Sequence, residues 1–327
     1  METNPDPKTF VFYLVKEFSM IAFGTAIEPL RIANRMLGYQ AYRWRIASED
    51  GQPVAASNGI EISANSSLDE ERRALMGEHR PTMTIICSGE NVESYNNKAM
   101  LAWIRETNNR GVYIGGLCTG AHILATAGIL KNRQCAIHWE NLAGFAEKFP
   151  DVNVCADLYE VDGSIYTCAG GTASLDMMLA LIGEDHSDEI VARVCQGAIT
   201  DRVRSPKDRQ RLPLQARLGI QNNKVLSVIE FMEANLSEPL SLAEIAANVG
   251  LSRRQIERLF SSEMGRPPAR YYLEIRLDRA RHLLLQSSLA IVEVAIACGF
   301  ISASHFSKCY REMYYKSPQQ ERVDRKT

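Results

Sequence analysis

A cysteine in the first half of the chain stands between small residues in a way that suits nucleophilic chemistry. The run Gly116-Leu117-Cys118-Thr119-Gly120, called the elbow below, joins a strand-like segment to a helix-like one. Small flanking residues permit the strained turn that presents a nucleophile above a sheet, and amides at a helix N-terminus lower a thiol pKa. The spacing therefore makes Cys118 a candidate nucleophile.

An active thiol also needs a base and an acid that orients the base. The nearest pattern, His138-Trp139-Glu140, follows the helix after the elbow too closely to supply that set. We expect His138 and Trp139 to line a binding pocket; the alternative is that His138 is a hydrogen-bonded core residue and Trp139 fills the core. His122 and Asp176 are expected to be structural, Asp176 as a helix cap or ion-pair partner.

A second kind of chemistry, the recognition of base edges, is indicated near the end of the chain. Residues 242–260 have the pattern of helix, tight turn and helix, in which Gly250 ends the first helix and Ser252 caps the second. Arg and Gln on the second helix of such a pair read bases in a major groove. The side chains predicted to face DNA here are Arg253, Arg254, Gln255 and Arg258.

The same pattern returns at residues 291–311, with Gly299 at the turn. The side chains predicted to face DNA in this copy are Ser302, Ser304, His305, Lys308 and Arg311. The two turn glycines are 49 residues apart, and an amphipathic helix that includes Tyr271 and Leu284 lies between them. We expect this helix to hold both copies as one body that contacts successive major grooves, about 34 Å apart.

The elements that position Cys118 alternate between strand-like and helix-like runs up to residue 182. This order predicts an α/β domain, a flavodoxin-like parallel sheet with helices on both faces, with ligands bound beyond the carboxyl ends of the strands. Strands are expected at 9–15, 42–47, 83–87 and 112–118, with a hairpin at 54–63 and a strand pair at 152–160 and 164–168. Helices are expected at 19–36, 98–108, from the elbow through Ala127, and at 139–148, 172–182 and 190–199.

Composition describes an ordinary globular protein with an uneven distribution of charge. The 327 residues suffice for two domains, and 46% are hydrophobic and 23% charged. The net charge of −2 conceals a split: residues 1–182 hold 15 basic and 21 acidic side chains, whereas residues 183–327 hold 22 and 18. Only the second part has the sign that attracts phosphate.

The eight cysteines give no sign of a disulfide framework or a metal site. They stand at positions 87, 118, 135, 155, 168, 195, 298 and 309, without a C-x-x-C pair or a Cys/His ligand spacing. We expect neither a metal nor a cofactor. The first seven residues lack the design of a signal peptide and no apolar run reaches ~18 residues, so a cytoplasmic protein without a membrane segment is expected.

The second helix-turn-helix copy carries a recognisable signature. Its residues are Ala295, Gly299, Phe300, Ser304 and Phe306, followed by Ser317-Pro318 and Arg322. They match the pattern A-x-x-x-G-F-x-x-x-S-x-F, and the segment resembles the DNA-binding domain of AraC/XylS transcription regulators. The resemblance implies an all-α domain that binds double-stranded promoter DNA. Tyr315 stands where that family usually has glycine; we expect a local effect on the loop and no loss of the fold.

The elbow also resembles a known family. Residues 118–130 and His138-Trp139 are similar to the regulator branch of the PfpI-like, glutamine-amidotransferase-related superfamily, over about residues 9–182. Proteolytic members have a His directly after the Cys, where this chain has Thr119. The family's acidic position falls at Thr25, and Glu28 is shifted in register. The resemblance therefore implies a retained pocket and not an enzyme.

The pocket is expected to bind a small effector. Its predicted lining is Glu28, Gly89, Cys118, Thr119, His138, Trp139 and Thr172, with Gly170 and Gly171 beside them. The alternative for Cys118 and Gly171 is that they permit tight backbone packing. The motifs together resemble AraC-family activators that sense small amines and amino acids, which implies an effector of the glycine betaine, carnitine or arginine class. A carboxylate with an aromatic face suits such a cation.

These observations predict a ligand-responsive transcription activator of amine or amino-acid catabolism genes, a homodimer that contacts RNA polymerase. Residues 1–185 are expected to sense the effector, 186–222 to form a last helix and a linker, and 223–327 to bind DNA. The linker carries five basic residues between Arg202 and Arg211, a charge run of the kind that is usually solvated. Two alternatives stay open: a Cys118-dependent hydrolase or amidase with a DNA-binding tail, and a constitutive DNA-binding protein whose first domain only dimerises.

Overall fold

The computed structural model describes residues 5–211 and 214–324. The first four residues lie outside the described residues; they belong to the segment whose sequence does not resemble a signal peptide. Leu212 and Pro213 of the predicted linker also lie outside the described residues. The chain divides into two compact units, Met1–Gln210 and Arg211–Thr327. Among the described helices, none combines the length and the apolar character that crossing a membrane requires.

The first unit alternates strands and helices. Its strands are β1 (Lys8–Leu14), β2 (Tyr42–Ser48), β3 (Val54–Ala55), β4 (Glu61–Ile62), β5 (Ser66–Ser67), β6 (Met83–Cys87), β7 (Tyr113–Leu117), β8 (Gln134–Ala136), β9 (Asn153–Cys155), β10 (Tyr159–Asp162) and β11 (Ile165–Cys168). Its helices are α1 (Met20–Leu37), α2 (Leu68–Ala74), α3 (Lys98–Asn109), α4 (Gly120–Thr126), α5 (Leu142–Lys148), α6 (Ala173–Asp185) and α7 (Asp188–Ala198), with a 3₁₀ turn at Val92–Ser94.

Seven strands form one sheet in the order β10-β11-β7-β6-β1-β2-β5, and only the β10–β11 pair is antiparallel. Side chains of β1 alternate between two separate cores: Phe10 and Phe12 pack in one, Val11 and Tyr13 in the other. A strand buried on both faces needs helices on both faces. The predicted α/β architecture, a mainly parallel sheet covered on both sides, is confirmed.

Local differences from the prediction concern short elements. The strand expected at 152–160 is two strands: β9 pairs in parallel with β8, which was not predicted, while β10 pairs with β11. The helix expected from Trp139 begins at Leu142, because the Asn141 amide donates to the His138 carbonyl in a turn. Helix α2, with its Ser67 capping box, was missed. The hairpin at 54–63 is confirmed as β3–β4.

The second unit consists of helices. They are α8 (Leu214–Leu218), α9 (Asn223–Ala234), α10 (Leu242–Asn248), α11 (Arg253–Met264), α12 (Pro268–Gln286), α13 (Ile291–Ala297), α14 (Ala303–Tyr314) and α15 (Pro318–Asp324). Both helix-turn-helix pairs, α10–α11 and α13–α14, turn at a glycine with positive φ: 65° at Gly250 and 72° at Gly299. Both copies predicted from the sequence are therefore present.

Helix α12 bonds to the loop that precedes the first copy and to the turn of the second copy. Near its start, the Tyr272 hydroxyl donates to the Asn235 carbonyl at 2.6 Å, ahead of α10. One turn later, Arg276 donates to the carbonyls of Cys298 and Gly299 at 2.8 and 2.6 Å. Its guanidinium also lies 4.2 Å from the Phe300 ring centroid. Arg276 thus satisfies carbonyls at the end of α13 and fixes the second turn, as expected of a helix that unites the two copies.

Tyr315 ends α14 in the left-handed conformation, with φ 58°. Its side chain is exposed, and α15 begins three residues later at Pro318. The residue that adopts left-handed backbone at a helix C-terminus is usually glycine. Tyrosine adopts this conformation here at a local energetic penalty. The expectation that the departure does not abolish the fold is confirmed.

Candidate effector site and nucleic-acid interface

The elbow has the strained geometry that its sequence predicts. Cys118 connects β7 to α4 with φ 59°, which is uncommon for a residue with a side chain. A Cβ atom on Gly120 would lie 2.6 Å from the Ile86 carbonyl oxygen, and one on Gly116 would lie 3.0 Å from the Ala121 amide nitrogen. Glycine is therefore required on the α4 side, and close packing constrains the β7 side.

The thiol at this turn is not activated. Burial raises the pKa of Cys118 to about 12; the neighbouring Cys168 thiol and the carboxylates of Glu140 and Glu90 act in the same direction. A hydrogen bond from the Thr119 amide opposes the change without reversing it. The amide therefore acts in the expected direction, but desolvation of the thiolate outweighs it and the pKa is raised overall.

Several residues predicted to line the pocket meet at the elbow. The Thr119 hydroxyl donates to the Gly89 carbonyl at 2.7 Å, and the His138 amide donates to the Cys118 carbonyl at 3.3 Å. A Cβ atom on Gly170 would lie 2.6 Å from the Cys118 Cβ. The Trp139 and His138 ring centroids are 5.8 Å apart. The turn, the loop after β6 and the loop after β8 therefore converge on Cys118.

The first helix brings a hydroxyl, not a carboxylate, to the same loops. The Thr25 hydroxyl donates to the Gly171 carbonyl at 2.7 Å. Glu28 lies on the exposed face of α1, where its carboxylate accepts from Arg31 at 2.6 Å. The position that holds the family's acid is thus occupied by a residue that ties α1 to the start of α6.

Thr172 is engaged by an arginine that sequence reasoning did not single out. Arg204 donates to the Thr172 hydroxyl at 2.8 Å. Its backbone amide and guanidinium donate to the Asp176 carboxylate at 2.8, 2.9 and 2.6 Å. Asp176 is buried, and its predicted structural pairing is confirmed. In the sequence, Arg204 was distinguished only as one of the five basic residues between Arg202 and Arg211.

Arg204 belongs to a segment, residues 200–210, that we call the strap. The Leu158 amide donates to the Pro206 carbonyl at 2.9 Å, and the Gln210 side chain donates to the carbonyls of Ile137 and Asp157. The strap is therefore fixed to the first unit from the start of α6 to the end of β8. It leads along the chain directly into the second unit.

A cluster beside the strap has the donor atoms of a cation site. Cys155, Asp157 and Glu160 bring one thiol and two carboxylates within 4.8 Å of one another. Lys207 of the strap donates to both carboxylates at 2.6 Å. The cluster thus binds an ammonium group of the chain itself, and that ion pairing adds a further attachment for the strap.

The second helices of the two helix-turn-helix pairs, α11 and α14, are called the reading helices below. They expose the side chains predicted to face DNA. All of the predicted residues are exposed: Arg253, Arg254, Gln255, Arg258, Ser302, Ser304, His305, Lys308 and Arg311. Two of them also cap helices. The Gln255 side-chain oxygen accepts from the Ser252 amide at 2.7 Å, and the Ser302 hydroxyl accepts from the His305 amide at 3.2 Å. These caps fix the helix ends that we expect to enter a groove.

The cationic side chains of α11 differ in availability. Arg253 donates to Glu257 at 2.9 Å. Arg254 and Arg258 form no ion pair with another residue that the structure describes, so their guanidinium groups can donate to bases or phosphates. In α14, the His305 ring nitrogen lies 3.4 Å from the Cys309 sulfur, which orients the ring.

Comparison with known families agrees with both halves of the structure. Residues 8–184 match the DJ-1/PfpI family, and residues 245–323 match a Helix-turn-helix domain. The sheet with its elbow, followed by two reading helices, defines a DNA-binding transcription regulator that joins a DJ-1/PfpI unit to an AraC-type unit.

The relatives place the chain more narrowly. It belongs to the family of HTH-type transcriptional regulators that includes GbdR of Pseudomonas aeruginosa, 40% identical over 98% of this chain and 85% of that protein. CdhR of the same species is 38% identical over 96% and 91% of the two chains, and GlxA of Rhizobium meliloti is 36% identical over 94% and 93%.

Solved structures support the fold of the first unit. An AraC family transcriptional regulator from Pseudomonas putida aligns with 59% of this chain and 100% of its own, at 25% identity and a TM-score of 0.53. DJ-1beta of Drosophila melanogaster aligns with 60% of this chain and all of its own, at 16% identity and a TM-score of 0.51. At that identity the second likeness concerns the fold alone.

Proposed function

We propose that the first unit binds a small cationic nitrogen compound at the elbow and that this binding changes how the second unit engages promoter DNA. The effector class is that of glycine betaine, carnitine or arginine, and the target genes serve amine or amino-acid catabolism. The protein acts in the cytoplasm as a homodimeric activator that contacts RNA polymerase. The observation that supports the effector class is a buried thiol with two carboxylates, Glu140 and Glu90, near enough to act on its pKa.

The charges around the elbow favour a cation. Glu140 and Glu90 lie close enough to oppose ionisation of Cys118. Glu140 also lies 3.7 Å from the His138 ring, and Glu93 accepts from Asn141 at 3.3 Å on the following turn. Carboxylates that oppose a thiolate also attract an ammonium group, and the adjacent Trp139 offers a ring face of the kind that binds quaternary amines.

The strap offers a route from the elbow to the DNA-binding unit. Gly170 and Gly171 contact Cys118 and Thr25, and the next residue, Thr172, bonds to Arg204. An effector that shifts the start of α6 therefore acts on the attachment of the strap. Binding changes DNA affinity only if the effector prefers one arrangement of the strap over the other.

The effector is tested by thermal unfolding of the full-length protein with glycine betaine, carnitine or arginine, and with acetate as an anionic control. All three tryptophans (Trp44, Trp103 and Trp139) lie in the first unit, so their fluorescence reports its melting. At a hundredfold excess over Kd we expect a rise of about 5 °C or more, because ligand bound only to the native state stabilises by about 2.7 kcal/mol.

Two carboxylate variants sharpen that experiment. Glu140→Gln should shrink the rise, whereas Glu28→Gln, which removes the same charge from a residue already paired with Arg31, should leave it intact. No rise with any cation would contradict the effector proposal and favour a constitutive DNA-binding protein. An equal loss in both variants would place the ligand elsewhere.

The competing function, a Cys118-dependent hydrolase, requires a thiolate near neutral pH. With a pKa of about 12, the thiolate fraction at pH 8 is on the order of 10⁻⁴. We expect alkylation of Cys118 by iodoacetamide, followed by peptide mass mapping, to accelerate about tenfold per pH unit from pH 8 to 10 without a plateau. A plateau near pH 7 would support the hydrolase.

For the DNA-binding unit, Arg254→Ala should weaken binding to a selected duplex by about 1–3 kcal/mol if the guanidinium reads a base. The measurement is fluorescence anisotropy with that duplex and with random competitor DNA. Arg270→Ala is the matched control, since it removes the same charge from α12, where Arg270 pairs with Glu274 at 2.9 Å. An equal loss on random DNA would make Arg254 a phosphate contact.

A further inference from the structure

The two turns of the DNA-binding unit differ in length by one residue. In the first copy, one residue separates Gly250 from the cap Ser252 along the chain; in the second, two separate Gly299 from the cap Ser302. The residue after Gly299, Phe300, is buried against the Phe306 ring at 5.1 Å and beneath the Arg276 guanidinium. Packing of the turn is therefore complete without the extra residue.

The extra residue is Ile301, and it is the most exposed large apolar side chain in the described part of the chain. Its relative exposure is 104%, compared with 3% for the neighbouring Phe300. A single exposed isoleucine is common on a protein surface. Ile301, however, stands directly before Ser302, whose hydroxyl caps α14 through the His305 amide. It therefore projects at the end of the helix that enters the groove.

The start of α14 offers polar and apolar groups together. Ser304 and His305 offer small polar groups, and His305 is oriented by Cys309 and lies 5.9 Å from the Phe300 ring. A branched apolar side chain forms no hydrogen bond with a base edge. The feature of the major groove that it complements is the C5-methyl group of thymine.

From the DNA-binding role of the second unit, we infer that Ile301 contacts the C5-methyl group of a thymine in the half-site read by α14 and is a specificity-determining residue. Cytosine lacks that methyl group, so the contact selects thymine over cytosine. A protein partner is the alternative occupant. The groove is favoured because Ile301 adjoins the cap at the N-terminal end of α14, the end that a helix-turn-helix directs at base edges.

The test uses the full-length protein and a duplex selected by it from a random pool. Each thymine is replaced in turn by deoxyuridine, which lacks only the methyl group, and binding is measured by anisotropy. At one thymine we expect the replacement to weaken binding of the unaltered protein about 4-fold, the effect of one buried methyl-sized group. Ile301→Ala should bind the thymine duplex about as weakly and should not distinguish the two bases there.

Ile296→Ala is the matched control, because Ile296 is an exposed isoleucine on α13 of the same helix pair. It should retain the full deoxyuridine effect. The inference is overturned if no thymine is sensitive, if Ile301→Ala keeps the effect, or if that variant binds DNA normally and loses only promoter activation, which would indicate a protein partner. If no duplex is selected at all, the DNA-binding role itself fails; that outcome is distinct from the other three.

Discussion

Replacing Gly299 with alanine is expected to lower the free energy of unfolding of the second unit by about 3 kcal/mol or more. Two effects combine. The φ of 72° is unfavourable for any residue with a Cβ atom, and that atom would lie 2.5 Å from the Pro239 ring and 2.8 Å from the Leu236 carbonyl oxygen. Because the second turn then cannot approach the loop before α10, selective DNA binding should be lost as well.

The other turn glycine provides the control. Gly250 has nearly the same φ, 65°, but no atom lies within 4 Å of a Cβ added there. Gly250→Ala should therefore show only the conformational effect, about 1–2 kcal/mol. The second unit contains no tryptophan, so its unfolding is measured as the change in far-ultraviolet circular dichroism that occurs without a change in tryptophan fluorescence. Equal losses in the two variants would mean that the contact with Pro239 is unimportant.

Asp176→Ala is expected to destabilise the first unit by about 3 kcal/mol, because breaking a buried ion pair leaves its partner without compensation. The Asp176 side chain is 3% exposed and accepts three hydrogen bonds from Arg204, whose side chain is 28% exposed. Urea unfolding followed by tryptophan fluorescence measures the loss. Trypsin should also cleave the strap faster, since Arg204 becomes accessible once the segment detaches.

Asp151→Ala removes the same charge from an exposed pair with Lys131, in which both side chains are about two-thirds exposed. Such surface pairs contribute little, so this variant should remain within about 0.5 kcal/mol of the unaltered protein. If Asp176→Ala behaves like this control, Arg204 does not hold the strap. If Asp176→Ala leaves the effector response on DNA unchanged, the proposed route through the strap is wrong.

The sequence was most informative where a local rule determines local structure. Ser252 and Ser302 cap their helices, Gly250 and Gly299 take left-handed backbone, and the small residues around Cys118 form a strained turn. These features depend on neighbours in the chain. The alternating burial of β1 follows from the same kind of pattern, because each of its two faces meets a separate core.

Interactions between distant residues were the part that sequence patterns could not supply. Arg204 pairs with Asp176 and Lys207 with Glu160, across 28 and 47 positions, and nothing in a basic tract tells which charge meets which partner. The pKa of Cys118 also depends on how deeply the fold buries the thiol. The attachment of the strap and the protonation of the thiol therefore follow from the three-dimensional structure and not from the sequence pattern.

The bonds from α12 to the loop before the first helix-turn-helix copy and to the turn of the second have a consequence for DNA sites that this protein binds. Because Tyr272 and Arg276 attach both regions to one helix, we expect the protein to set the distance and phase between two half-sites. An inserted base pair shifts one half-site by about 3.4 Å and rotates it by about a tenth of a turn. Base substitutions between the two half-sites should therefore be tolerated in the promoters of regulated genes, whereas insertions and deletions there should be selected against.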